Sequence, residues 1–125
     1  MEHSEGFLRL VEDAKTRIRE TSVAEALARL ESGAGEVRLV DVREDREWEA
    51  GRARAAVHMG RGVIERDIER VVPDHSAELI LYCGGGYRSA LACDNLRRMG
   101  YTNVYSLAGG WTAWKEAGAP IEGNG

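Results

Sequence analysis

Cysteine and lysine are scarce in this chain, and long apolar runs are missing altogether. The only cysteines are Cys83 and Cys93. Two cysteines cannot build the disulfide framework of a small secreted domain, and their spacing is too wide for a Cys-x-x-Cys redox pair. No apolar run approaches the roughly 20 residues needed to cross a bilayer. The N-terminal segment, with Glu2, Glu5, Glu12 and Asp13, lacks the basic-then-apolar layout of a secretory signal. The expectation is a cytoplasmic protein with no membrane partner. Arginine supplies nearly all of the 17 basic residues, and the net charge is -4. The arginines alternate with acids, as in Arg43-Glu44-Asp45-Arg46-Glu47. No basic stripe forms, so no nucleic-acid partner is expected. No grouping of His, Cys and Asp has metal-ligand spacing, and His3, His58 and His75 stand apart from the cysteines. No metal or cofactor is expected. Repeats, low-complexity tracts and linkers are also absent, and 125 residues make one domain with a real core.

What is present is an alternation of helical and strand-like segments. Phe7, Leu10/Val11, Ala14 and Ile18 recur at helical spacing and predict a helix over 5–17. Ser22 and Glu25 form a capping box, and the apolar stripe behind them stops at Gly33. Val37 to Val42 alternates and is β-branched, which predicts a strand. Glu44 to Ala50 reads as a short charged helix anchored by Trp48 and ended by Gly51. Ala55 to Met59 reads as a short strand, and Val63 to Val72 as a helix before Pro73. Leu79 to Tyr82 is a strand, 88–99 a helix closed by Gly100, and Val104 to Leu107 the last strand. Trp111 and Trp114 sit in a final short helix after Gly109-Gly110. This order predicts an α/β fold with a mainly parallel sheet covered on both faces. In such sheets ligands bind beyond the C-terminal strand ends. Cys83 lies at such an end, as do Asp41 and Arg43.

The run Cys83-Gly84-Gly85-Gly86-Tyr87-Arg88-Ser89 carries the chemistry. A strand that ends in a thiol, turns through three glycines and enters a helix makes an anion cradle, because backbone N–H groups turn inward and the helix N-terminus is partly positive. Both effects favour thiolate and lower the pKa from the free value of about 8.5. Arg88 adds a permanent cation with a fork suited to oxyanions. Cys83 alone could be core packing, and three glycines alone could be a turn. Together they point to a nucleophile aimed at an anionic substrate. Cys93 reads as a small apolar filler of the following helix.

From about Thr21 to Glu122 the chain resembles the rhodanese family, specifically its small single-domain sulfurtransferases. The resemblance rests on Leu39-Val40-Asp41-Val42-Arg43-Glu44, on the cysteine loop with Arg88, and on Leu107-Ala108-Gly109-Gly110-Trp111. The family commonly has Gly-His-Ile-Pro-Gly-Ala before the short middle strand, whereas this chain has Gly51-Arg52-Ala53-Arg54-Ala55-Ala56. The segment Arg61-Gly62-Val63-Ile64-Glu65 fits what some members have just beyond it. The resemblance implies a five-stranded rhodanese-like domain over 19–122, after an N-terminal helical extension (1–18) and before a disordered tail (123–125). It also implies a mechanism. Cys83 attacks the sulfane sulfur of a donor such as thiosulfate, carries a persulfide, and yields the sulfur to cyanide or a thiol. Gly84, Gly85, Gly86, Tyr87, Arg88 and Ser89 would form the substrate loop. Arg88 would hold the donor's oxyanion or brace the loop through a carboxylate, with Asp41 a candidate brace and Arg43 a candidate second cation at the mouth. Asp41 could instead cap its strand, Arg43 could be solvated, and Ser89 could be an N-cap.

Two other readings stand beside this one. The domain could be a persulfide carrier fed by a sulfur-relay protein, which an apolar rim built by Tyr87 and residues near Met59 would support. A cysteine phosphatase or arsenate reductase has five residues between Cys and Arg, whereas Gly84 to Tyr87 make four, a tighter cradle.

Overall fold

The computed structural model describes residues 3–32 and 37–123. The Gly33 helix stop and the tail residues Asn124 and Gly125 lie outside them. Five strands form one parallel sheet in the order β1-β6-β5-β2-β4. They are β1 (Arg19–Thr21), β2 (Arg38–Asp41), β4 (Val57–His58), β5 (Leu79–Tyr82) and β6 (Val104–Leu107). A separate antiparallel pair joins β3 (Gly51–Ala53) to β7 (Ile121–Gly123). Gly123, expected in a disordered tail, is therefore paired with Gly51.

All four residues of β5 and of β6 are buried, as a parallel strand covered on both faces requires. Leu79 and Leu81 point to one side with α4 (Ile64–Val71) and α5 (Tyr87–Arg98), where Ile64, Ile68, Ala92 and Leu96 meet them. Ile80 and Tyr82 point to the other side, where α2 (Val23–Ser32) and α6 (Gly110–Glu116) bring Val23, Ala26, Trp111 and Trp114. The Ser22–Glu25 capping box forms in both directions, at 3.1 Å and 3.0 Å. Helix α3 (Asp45–Ala50) follows β2 and ends at Gly51.

The N-terminal helix α1 (Glu5–Lys15) does not stand apart from the domain. Its Val11 and Ala14 pack on Ala90 and Leu91 of α5. It stops two residues short of the expected end because Arg17 turns back to clamp Asp94 with two hydrogen bonds, at 3.0 Å and 2.9 Å. The short middle strand is also shorter than expected. Ala55 adopts a left-handed φ of 70°, a turn conformation, and only Val57–His58 pairs with β2. Among the described residues no helix is long and apolar enough to cross a membrane.

Candidate active site

Because the sheet is parallel, the ends of β2, β5 and β6 deliver their loops to one rim. Cys83 follows β5 directly and is 1% exposed. The chain then turns through Gly86, which has φ 100° and caps α5. A side chain at Gly86 would be strained by that left-handed φ, while its Cβ would only touch Gly109 and Leu107. Cys83 Sγ accepts hydrogen bonds from the N–H groups of Gly86 (3.2 Å) and Ser89 (3.4 Å). Both donors belong to the first turn of α5, so the helix N-terminus points at the sulfur. Gly86 holds the cap position that Ser89 was expected to take. Ser89 instead sits one turn into the helix, with its Oγ 3.5 Å from Sγ and 2.7 Å from Ser106 Oγ.

The loop's carbonyls are held from behind. Trp111 N–H donates to Cys83 O at 2.7 Å, and Thr112 N–H donates to Gly84 O at 3.2 Å. These are free donors of the first turn of α6. Gly110 permits the approach: with φ 52°, a Cβ there would collide with the Cys83 carbonyl oxygen. Gly109-Gly110-Trp111 is thus part of the cradle, and Trp111 and Trp114 are also core anchors, as expected.

Arg88 lies along the loop, where its Nη2 would be 3.2 Å from a Cβ on Gly84. It makes a bidentate pair with Glu47 of α3, Nη1 to Oε1 at 2.8 Å and Nη2 to Oε2 at 3.1 Å. Glu47 Oε1 also accepts the Glu44 N–H at 3.0 Å, which fixes the carboxylate on its own helix start. The Arg88 hydrogen bonds pull the Glu47 carboxyl down to about 2, against the opposing effect of burial. The carboxylate that braces Arg88 is therefore Glu47 and not Asp41.

Asp41 and Arg43 face inward and pair with each other. Asp41 is 0% exposed and Arg43 is 3% exposed. Arg43 donates to Asp41 through Nε (3.0 Å), Nη2 (2.7 Å) and its backbone N–H (2.9 Å), and to Gly51 O at 2.6 Å. Tyr82 OH donates to Asp41 Oδ2 at 2.7 Å and accepts the Ala53 N–H at 3.1 Å. Burial pushes the Tyr82 hydroxyl well above its ordinary range. The Arg43 guanidinium also lies 4.7 Å from the Trp111 ring centre. It ties β2, β3 and α6 together below the loop and does not reach the mouth as a second cation.

A cleft of about 650 Å³ opens over the thiol. Cys83, Gly84 and Gly85 form its floor, and Tyr87, Phe7, Glu47 and Arg61 stand among its walls. Tyr87 forms the rim, as expected, with the Phe7 ring 6.2 Å and the His3 ring 4.6 Å from its own. The N-terminal extension therefore lines the cleft. Cys93, 0% exposed, is packed in the core, and burial pushes its thiol far up. Both cysteines are free. Among the described residues, no cluster of three or more His, Cys, Asp or Glu side chains could hold a metal ion. Sequence reading missed Glu47, Ser106 and Arg61. Glu47 left a trace as the second member of the Glu44-x-x-Glu47 capping pattern, Arg61 only as the head of the Arg61-Gly62-Val63-Ile64-Glu65 segment with no role attached, and Ser106 none.

The rhodanese-like domain family matches residues 22–117. A sulfurtransferase from Allochromatium vinosum is 32% identical over 98 residues, covering 78% of this chain and 90% of that one. The thiosulfate sulfurtransferase GlpE of Actinobacillus succinogenes is 34% identical over 84 residues, covering 67% and 74%. A solved structure from Rhodopseudomonas palustris, of unknown function and described as a possible tyrosine phosphatase, superposes with a TM-score of 0.86 at 32% identity and covers 98% of both chains. That superposition spans the N-terminal helix as well as the domain. The glycine-turned cysteine loop at the sheet rim, and the match along most of the chain, make this protein a member of the rhodanese family.

Proposed function

We propose that this sulfurtransferase works through a persulfide on Cys83, taking the sulfane sulfur of a small anionic donor such as thiosulfate and passing it to a thiol, or to cyanide in an assay. The observation that carries this reading is the position of Sγ. It sits on the floor of the cleft under two N–H donors and the start of α5. Cys83 thiolate attacks the outer sulfur, the S–S bond of the donor breaks, and sulfite leaves with the electron pair. The persulfide's outer sulfur then bears negative charge in the cradle, where inward N–H groups stabilise it. The name of the GlpE relative supports thiosulfate as a donor.

The rim favours a small anion over a relay protein as the source of sulfur. An apolar docking rim built by Tyr87 and residues near Met59 would have supported the relay; Tyr87 does line the cleft beside Phe7, but Met59 is 6% exposed and the walls carry Arg46, Arg61 and Arg88. The description of the Rhodopseudomonas protein raises the phosphatase reading again. Phosphate-ester cleavage needs a proton donor for the leaving oxygen. Glu47, the carboxyl bound to the loop arginine, stays ionised at neutral pH with its pKa down to about 2. Four residues between Cys83 and Arg88 also leave a tighter cradle than a phosphoryl group on sulfur requires.

The test is intact mass after brief thiosulfate treatment. A gain of about 32 Da, one sulfur atom, that cyanide removes and Cys83→Ser lacks is the expected result. Absence of the adduct with thiosulfate, together with its appearance when a cysteine desulfurase and cysteine are added, would replace the small-donor reading with the relay. Full transfer activity in Cys83→Ser would refute the mechanism.

A further inference from the structure

Ser106 is a polar residue where the fold asks for an apolar one. It lies in β6, whose four residues are all buried, and it is 0% exposed. It shares a sheet face with Val104, on the side where Leu81, Cys83 and α5 pack. Burying a hydroxyl there is costly unless it is hydrogen-bonded. Among the described residues the Ser106 hydroxyl has one hydrogen-bond partner, the Ser89 hydroxyl at 2.7 Å. Ser89, also 0% exposed, lies in turn 3.5 Å from Cys83 Sγ. Two buried hydroxyls thus lead from the sheet to the sulfur.

The protons of this chain set its direction. A thiol at Cys83 donates to Ser89 Oγ, the Ser89 proton goes on to Ser106 Oγ, and the Ser106 proton is left with no acceptor among the described residues. A sulfur that only accepts reverses the order. Ser106 then donates to Ser89, Ser89 donates to Sγ, and every proton has a place. Without Ser106, the Ser89 hydroxyl is free to turn to the carbonyl of Gly85, four residues back, as a serine in a helix commonly does. We propose that Ser106 is a positioning residue that holds the Ser89 hydroxyl on Sγ, and that the pair serves discharge of the persulfide, in which Sγ is the leaving group. This rests on the persulfide reading. The acceptor thiolate attacks the outer sulfur and a new S–S bond forms. The bond from that sulfur to Sγ breaks, and its electron pair stays on Sγ as thiolate. The product is the acceptor's persulfide, and no oxidant or reductant is consumed. A donor on the inner sulfur eases that departure. In loading, Sγ is the nucleophile, and the same hydrogen bond slightly restrains it. The two half-reactions therefore respond to Ser106 in opposite senses.

Ser106→Val and Ser106→Thr have the same shape and differ only in the hydroxyl, so they are compared with each other once thermal melting shows both folded. One charge-assisted hydrogen bond is worth about tenfold in an equilibrium, and with a Brønsted slope near one half about threefold in a rate. Loading by thiosulfate and discharge by 2-mercaptoethanol are followed separately by intact mass, at a pH where alkylation of Cys83 has levelled off. Ser106→Val should discharge about threefold more slowly than Ser106→Thr and should load no more slowly. Equal discharge rates overturn the proposal. So does an equal slowing of both half-reactions, which is what a merely structural role predicts. The route through Ser89 is read from the rate of iodoacetamide alkylation of Cys83 against pH, which needs no sulfur transfer. Ser106→Ala should move this curve up by about one pH unit, the same tenfold, and adding it to Ser89→Ala should move the curve no further than Ser89→Ala alone. The charged groups around the sulfur, Arg88 and Glu47 beside the loop and Glu44, Arg46, Arg61 and His3 in the walls, are the same in every variant. Additive shifts, or no shift in Ser106→Ala, overturn the role of Ser106. Failure of Cys83 to load with any donor would sink the persulfide reading and the leaving-group role with it, while the alkylation curve would still decide whether Ser106 aims a hydroxyl at Sγ.

Discussion

Replacing Glu47 by Gln removes the charge that braces the loop while keeping nearly the same shape. The amide oxygen can still accept the Glu44 N–H and one Arg88 bond, so the loss is electrostatic. The Glu47 carboxyl lies at about 2 against an ordinary 4.5. Taken at face value, that difference is roughly 3 kcal/mol of stability at neutral pH. The Arg88 and Glu47 side chains are 30% and 32% exposed, so solvent screening reduces the figure to about 1–2 kcal/mol. For a domain of this size that is a drop in Tm of about 3–8 °C. The pH dependence fixes the cause. A carboxylate whose pKa is depressed by folding stabilises above its unfolded value and loses that contribution as pH falls toward its folded value. The gap between wild type and Glu47→Gln should therefore be constant from pH 6 to 7, begin to close below about 4.5, and be about halved near pH 3. Urea unfolding followed by tryptophan fluorescence across that range measures it. A gap that is absent at pH 7, or one that stays unchanged down to pH 3, would refute the assignment of Glu47 as the ionised brace of Arg88.

Three further outcomes follow from the same geometry. Gly110→Ala should lose about 2 kcal/mol or more and should fail to load sulfur, because its Cβ meets the Cys83 carbonyl at a left-handed φ. Gly85→Ala, whose Cβ would rest at 3.8 Å from the Tyr87 ring, should do neither when both are compared by thermal melting and mass spectrometry. Arg43→Ala should cost about 3–5 kcal/mol in denaturant unfolding, since it strands the Asp41 carboxylate at 0% exposure; a cost below 1 kcal/mol would count against the buried pair as the tie between β2 and β3. Iodoacetamide mapping at pH 7 should modify Cys83 well before Cys93, which is shut in the core with its thiol pushed up; equal rates for the two would contradict the cradle.

Features set by neighbours along the chain were legible in the sequence. The capping box at Ser22, the all-apolar run at Leu79 to Tyr82 and the glycine turn after Cys83 each depend on residues within a few positions. What was not legible depends on partners far away. The edge strand β1 is three polar residues, Arg-Glu-Thr, with no alternation to mark it, and it exists because Tyr105 to Leu107 offers it a ladder. The β3–β7 pair joins Gly51 to Gly123 across most of the chain. Glu47 meets Arg88 across 41 residues, and no local pattern states which of the many acids will do so. Arg43 carried the right charge for a mouth residue, but Asp41 two positions earlier turned it inward, with Gly51 O and the Trp111 ring completing its surroundings.

The placement of charge changes the role of the loop arginine. As a residue in a cysteine loop, Arg88 reads equally well as the group that grips the donor or as a strut. A bidentate carboxylate at 2.8 Å and 3.1 Å gives it the strut's role, and from that braced position its charge also acts on the Cys83 sulfur. Its work is to hold the Gly84 side of the loop against α3 while α6 holds the carbonyls from behind. Between them the two contacts leave Gly86 and Ser89 N–H groups with only Sγ to serve. Negative charge on the sulfur is then stabilised by backbone dipoles that do not need to move and by the braced Arg88 beside it, and the cleft arginines with no side-chain hydrogen bond or ion pair among the described residues are Arg61 and Arg46. Thiol activation rests in this way on groups already held by partners, so substitutions at Arg61 should leave the cradle's chemistry in place.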